Sequence, residues 1–208
     1  MPLAADRRVP VRGMQRAMVK AMSAAWAVPH MGLCDEVSVD ALMSLRGELR
    51  APAAARGVAK LTFLPLLVKA ASMALVQHPV MNAQLVLSGG GGGGGGEDGS
   101  ADEATLVYRS AHNIGIAMDS PRGLVVPCVR DAQRLSVLEI ARELLRLQAL
   151  AAAGKLGERE LADVTFSLSN IGSIGGTYAS PIIPRPNVRL LRFAAPSAAL
   201  ALLRKAQS

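Results

Sequence analysis

The chain has 208 residues, half of them hydrophobic but only 3% aromatic, with a formal net charge of +7. Its core must be assembled from Leu, Val, Ile, Ala and Met, enough for one domain that buries roughly 70% of its unfolded surface. Dispersed basic residues without interleaved aromatics argue against nucleic acid, no apolar run reaches the ~18–20 residues of a membrane span, and the two distant cysteines, Cys34 and Cys128, form neither a metal motif nor a disulfide framework.

Residues 1–8 read as a linker remnant without the apolar core of a signal peptide. Basic side chains gather at both ends: Arg7, Arg8, Arg12, Arg16 and Lys20 first, then Arg185, Arg189, Arg192, Arg204 and Lys205. Some of the first group, Arg12 and Arg16 among them, suit an anionic ligand, while solvated helix faces are the default explanation.

Met14, Ala17, Met18, Ala21 and Met22 recur at helical spacing, predicting an amphipathic helix from Met14 to Ala25 that Val28-Pro29 ends. Gly32 to Val39 reads as a strand leading to Ser38 or Asp40 as the cap of a helix that runs to about Arg50. His30, beside Pro29 at the junction, reads as structural rather than as a base. Ala51 to Ala59 reads as a loop of small residues. Thr62 then caps a helix from Phe63, with Pro65 in the first turn where its missing N–H costs nothing, and His78 closes that helix before Pro79. Pro79 to Leu87, Asn82 included, follows as a strand.

Eight consecutive glycines, Gly89 to Gly96, dominate residues 88–103. No G-K-[ST] follows them, which excludes a phosphate-binding P-loop and leaves a flexible hairpin loop whose ends lie about 22 Å apart as a coil. Thr105 to Tyr108 resumes as the second strand of that hairpin. A second hairpin joins Ile114–Met118 to Leu124–Val129 through the turn residues 119–123. Ser136-Val137-Leu138-Glu139 is a capping box that opens a helix from Val137 to about Ala153, closed by Gly154. Its apolar stripe is Leu138, Ala141, Leu144, Leu145 and Ala149. A turn of helix at 158–162 precedes an alternation of Val164, Phe166 and Leu168 with Thr165, Ser167 and Ser169, the period of a strand with one apolar face. That strand runs into Gly172, Gly175 and Gly176. Ser169 and Asn170 therefore stand where extended backbone gives way to a tight bend that a ligand can approach. Neither Ser169 nor Ser173 lies in G-x-S-x-G, so no strained nucleophile elbow is signalled. Strand runs and helices alternate irregularly, which points to a layered α/β domain with a mixed sheet.

The run T-F-S-L-S-N-I-G-S-I-G-G-T-Y-A-S-P resembles the catalytic core of the dihydrolipoamide acyltransferases of 2-oxo acid dehydrogenase complexes. Three further blocks match in order: V-P-V-R-G-M-Q-R-A-M-V from Val9, H-N-I-G-I-A-M from His112, and G-L-V-V-P from Gly123. The resemblance covers residues 9–182, and S-N-I-G-S-I-G-G-T is most like the branched-chain members, with acetyl and succinyl types next. It implies a chloramphenicol-acetyltransferase-like α/β fold, C-terminally incomplete here, with 183–208 as a divergent basic tail.

The resemblance further implies transfer of an acyl group between dihydrolipoamide and coenzyme A in a trimer-based homo-oligomer, with other subunits of the complex as partners. The lipoyl group would come from a separate domain or chain. Ser169 matches the hydroxyl that polarises the thioester oxygen, Asn170 and Gly172 shape the site, and Arg12 and Arg16 stay candidates for the coenzyme on charge alone. The family's histidine, in D-H-R-x-x-D-G, has no counterpart: none of His30, His78 and His112 is followed by three residues and then Asp-Gly. A chain of this kind is expected to be a weak or inactive acyltransferase alone, or else a non-catalytic subunit acting in core assembly. Its place would be the mitochondrial matrix in a eukaryote and the cytoplasm otherwise.

Overall fold

A computed structural model of the chain describes residues 8–87, 104–121, 123–172, 182–183 and 190–193. The glycine-rich loop, Gly175 and Gly176 of the expected bend, most of the linker and most of the basic tail lie outside the described residues. Among the described residues, no helix is long and apolar enough to cross a membrane.

Helices α1 (Gly13–Trp26), α2 (Asp40–Ala55) and α3 (Leu64–Gln77) come first, then a two-stranded antiparallel sheet of β1 (Ala83–Leu87) and β2 (Ala104–Tyr108). The β1–β2 pairing is the first expected hairpin, with Leu85 opposite Leu106. A four-stranded sheet is built from β3 (Ile114–Ile116), β4 (Cys128–Val129), β5 (Phe166–Asn170) and β6 (Leu190–Phe193), in the order β4-β3-β5-β6. Helices α4 (Val137–Ala152) and α5 (Glu158–Leu161) lie between β4 and β5 in the chain. The second expected hairpin is the antiparallel β3–β4 pair, extended by a bridge between Met118 and Val125. β5 runs parallel to both β3 and β6, so the sheet is mixed as the alternation of elements required. β6 falls within the segment read as a tail, and its register sets Arg192 opposite Ser169.

One face of this sheet carries the core. Register pairs Ile114 with Phe166 and Ile116 with Leu168, and these side chains close with Val68 and Leu75 of α3 and with Ile140, Leu144 and Leu147 of α4. Each fully buried aliphatic here contributes roughly 1.5–3 kcal/mol. On the other face Ser167 is buried, and Gly115 sits against Val126 and Val164 so closely that a Cβ would fall 2.7 Å from Val164 Cγ1. β5 is thus covered on both sides rather than on one.

Local departures from expectation have local causes. Residues 32–39 form no strand: among the described residues no other strand lies alongside them, and Met31, Leu33 and Val37 are 90%, 87% and 79% exposed. α2 does not stop near Arg50 but continues through the supposed loop to Ala55, with Pro52 inside it. Alanine's helix propensity and the burial of Ala53 against Val58, Leu61 and Ala141 outweigh the hydrogen bond that Pro52 cannot donate. Val39, not Ser38 or Asp40, is the N-cap of α2; Ser38 instead donates its hydroxyl to Asp40 at 2.9 Å. Phe63 rather than Thr62 caps α3, and no side chain bonds its first turn. Residues Pro79–Asn82 make a 3₁₀ turn before β1, because Pro79 supplies no donor for a sheet ladder.

α4 begins with the expected capping box, Ser136 accepting from Glu139 N–H and Glu139 accepting from Ser136 N–H. Gly154, at φ +64°, follows its end. Its buried stripe is rotated from the expected one: Ile140, Leu147 and Ala151 join Ala141 and Leu144 inside, while Leu145 and Ala149 are exposed.

Candidate active site

β3 and β5 are parallel, so their carboxyl ends open on the same edge of the sheet, where ligands bind in open α/β sheets. A cleft of about 260 Å³ lies there. Ile116, Met118 and Leu64 give it an apolar wall, and Asp119, Gln148 and Asn170 bring polar groups to it. Three different elements deliver those groups. Asp119 follows β3, whose ladder continues through the bond from Ala117 N–H to Leu168 O at 3.0 Å; Gln148 lies on α4; Asn170 ends β5.

Asn170 Oδ1 accepts the N–H of Gly172 at 2.9 Å. This local bond turns the chain out of the strand at Gly172 and leaves the side-chain amide N–H groups of Asn170 to face a ligand. Ser169 is half-buried, one residue earlier. Strand alternation puts it on the sheet face of Ser167 and Gly115, opposite to that of Leu168 and Asn170. Ser169 therefore does not line the cleft that Asn170 lines, and the two stand on either side of the same strand end.

Arg12 is the N-cap of α1 and Arg16 lies within that helix; both are exposed, and neither borders this cleft. Arg46 of α2 packs on Phe63, at the start of α3. Its Nε donates to Leu61 O at 3.1 Å and its guanidinium stacks 4.4 Å from the ring centroid of Phe63, the residue before Leu64 in the cleft wall. Asp119 and Gln148 carry no signal in the sequence that marks them as site residues. Asp119 falls in the turn at 119–123 and Gln148 inside the helix expected from Val137, and no local pattern encodes which faces meet across a cleft.

None of the three imidazoles borders the cleft. His30 is exposed, its Nδ1–H donating to Val28 O and its Nε2 accepting the N–H of Ile183 at 2.9 Å. His78 is the C-cap of α3, its backbone N–H bonded to Ala74 O. His112 is buried, with Nδ1 2.9 Å from Ser72 Oγ. Burial above all holds its imidazole below the usual range, Lys69 adds to the effect, and the Ser72 bond opposes it. Ser72 and His112 are 1% and 7% exposed, so this pair is a sealed core contact and not a nucleophile with its base.

Comparison with known proteins agrees with this architecture. The family model described as 2-oxoacid dehydrogenases acyltransferase (catalytic domain) matches residues 4–198. The chain is 50% identical over 187 residues to the lipoamide acyltransferase component of the branched-chain alpha-keto acid dehydrogenase complex of Mus musculus, covering 89% of this chain and 35% of that protein. It is 37% identical to the dihydrolipoyllysine-residue acetyltransferase component of the Bacillus subtilis pyruvate dehydrogenase complex, covering 89% and 39%. The chain thus spans little more than a third of the length of these relatives.

Among solved structures it is similar to the Azotobacter vinelandii dihydrolipoamide acetyltransferase, with a TM-score of 0.80 at 30% identity over 95% of this chain and 77% of that one. That structure was used to probe a serine, a histidine and an asparagine in the catalytic mechanism. A truncated catalytic core of the Thermoplasma acidophilum 2-oxoacid dehydrogenase complex gives a TM-score of 0.76 at 28% identity, over 91% and 80%.

Proposed function

Because the chain belongs to the 2-oxoacid dehydrogenase acyltransferase family through its catalytic domain, we propose that it serves to move an acyl group, of the branched-chain class, between dihydrolipoamide and coenzyme A. The observation that carries this reading is the strand end at Ser169 and Asn170, with a hydroxyl on one face and a cleft bearing Asp119, Gln148 and Asn170 on the other. The cleft is too small for a whole coenzyme and suits its extended thiol arm.

In the reaction a thiolate of coenzyme A attacks the carbonyl carbon of the acyl-dihydrolipoamide thioester, and the carbonyl oxygen gains the negative charge. Collapse of that tetrahedral species expels the dihydrolipoamide thiolate, which takes up a proton. The Ser169 hydroxyl, on the face of the β5 end opposite the cleft, is assigned to donate to the developing oxyanion, a role worth ~10²–10³ in rate. Asn170 supports the strand end by accepting the N–H of Gly172, and Gly172, lacking a side chain, is assigned to let the substrate approach the backbone there. Arg12 and Arg16 are assigned to the coenzyme's phosphates, reached from the exposed face of α1.

Deprotonating a thiol of pKa ~8.5 needs a base, and the 208 residues hold no D-H-R-x-x-D-G motif. A general base of this kind contributes ~10²–10⁴ in rate. A second reading is a subunit that enters the oligomeric core without turning over. Trp26, Met31 and Leu33, exposed on and just after α1, support association with further copies or with full-length subunits. Lipoyl groups would reach the site from a separate domain, and in a eukaryote the assembly would work in the mitochondrial matrix, as the branched-chain relatives' names specify for themselves.

An acyl-transfer assay with isovaleryl-coenzyme A and dihydrolipoamide tests both. Slow turnover abolished by Ser169→Ala supports the catalytic reading. Absence of turnover with co-sedimentation alongside full-length acyltransferase supports the assembly reading, and absence of both defeats the two together.

A further inference from the structure

α4 borders two hollows. Gln148 and Ala151 of its second half face the cleft beside Asn170, while its first half faces a cleft of about 410 Å³ between α4, α5 and the end of β4. Cys128 and Leu135 give this second cleft uncharged surface. Burial, chiefly, pushes the Cys128 thiol up to about 12, so it stays protonated and neutral. Four guanidiniums surround that surface, those of Arg130, Arg142, Arg146 and Arg159, with three carboxylates among them.

Every one of these carboxylates is already engaged within the chain. Glu143 and Glu160 hold Arg146 at 2.8 and 3.2 Å, and Glu160 also accepts from Gly157 N–H. Glu139 closes the capping box with Ser136. Arg130 is occupied by Asp163 at 3.1 Å and by the carbonyl of Arg159. Two cations are left with donors to spare. Arg142 gives one bond, to Arg56 O at 2.8 Å, and the Arg159 guanidinium has no partner among the described residues.

We propose that this second cleft binds a small organic anion, its carboxylate or phosphate group held by Arg142 and Arg159 and its apolar body lying toward Leu135 and Cys128. The volume is that of a small-ligand pocket. Guanidinium forks match the paired oxygens of both anions, whereas the neighbouring acids are too committed to compete. Both arginines are exposed, so binding is salt-sensitive and about millimolar in strength.

Calorimetric titration of the 208-residue protein with inorganic phosphate, and separately with isovalerate, at constant ionic strength, tests the site. The expected result is saturable binding of at least one probe, weakened about tenfold or more by Arg142→Gln and by Arg159→Gln, and unchanged by Asn170→Ala in the other cleft. A response to phosphate alone assigns phosphoryl ligands, and a response to isovalerate alone assigns carboxylates. Arg159→Lys should weaken binding less than Arg159→Gln, since charge survives and only the fork is lost. Failure of both probes to saturate, or saturation indifferent to both arginines, overturns the proposal. Because each arginine is read singly, loss of fold in one variant leaves the other decisive.

Discussion

The side chain of Asn113 reaches the carbonyl of Asp163 with its Nδ2 at 3.0 Å, and Asp163 is held there in the left-handed region at φ +59°. The same side chain, through Oδ1, accepts the N–H of Asp131 at 3.0 Å, and Asp131 is likewise left-handed at φ +48°. One buried amide thus fixes the two turns that lead out of β4 and into β5. Asn113→Ala should cost about 2–3 kcal/mol, because two backbone groups lose partners at once and the strained turns lose their support. Urea denaturation checks it: a midpoint shift that, multiplied by m, gives less than about 0.5 kcal/mol contradicts the assignment.

Gly115→Ala should destabilise by about 1–3 kcal/mol, since its Cβ would meet Val164 Cγ1 at 2.7 Å and Val126 Cγ1 at 2.9 Å. Adding Val164→Ala should return part of that loss. A double-mutant cycle with no coupling between the two positions would show that the sheet adjusts elsewhere.

His112 gives the fold an acid sensitivity of definite sign. Its folded pKa is lowered, so the native state binds fewer protons than the unfolded chain, whose histidine titrates near ~6.5. Stability from this group is present above that value, is lost as pH falls through it, and stops falling below the lowered native pKa. Glu139 and Glu160, both lowered by hydrogen bonds first, lose their contributions only in the carboxylate range further down. Melting temperatures of His112→Gln measured across the imidazole range should vary less with pH than those of the parent chain.

Ser136→Ala should cost ~1 kcal/mol by removing the acceptor for Glu139 N–H at the start of α4. Thermal melts read this directly, and because α4 carries both clefts the same variant should weaken anion binding and acyl transfer by no more than its effect on folding.

Gln148→Ala and Asn170→Ala should each raise KM for coenzyme A about tenfold, the equivalent of one good hydrogen bond, with a smaller change in kcat. Steady-state kinetics, or binding of coenzyme A where turnover is absent, checks this. An effect on kcat alone would move Asn170 from positioning to chemistry.

Much of this architecture is written locally. The two hairpins, the Ser136 capping box, the glycine after α4 and the alternation of β5 depend on neighbours in the chain, and each formed where its residues require. Long-range partners decided the rest. Leu33 and Val37 have strand-like character, yet an extended segment needs another beside it to become a strand. Ala51 to Ala55 looked like a loop until Ala53 found α4. Arg46 over Phe63 joins two helices, and no spacing encodes that contact. The opposed orientation of Ser169 and Asn170, by contrast, was contained in the period of two and only needed to be drawn out.

Among the described residues the β1–β2 ribbon is a sheet of its own, unlinked by ladder bonds to the four-stranded sheet whose β5 carries Ser169 and Asn170. Its connecting segment, 88–103, includes the polyglycine tract. Natural versions with more or fewer glycines there should fold and bind alike, since even doubling such a connection adds only ~0.6 kcal/mol of closure entropy. Evolution can therefore let this tract drift in length without disturbing the chemistry.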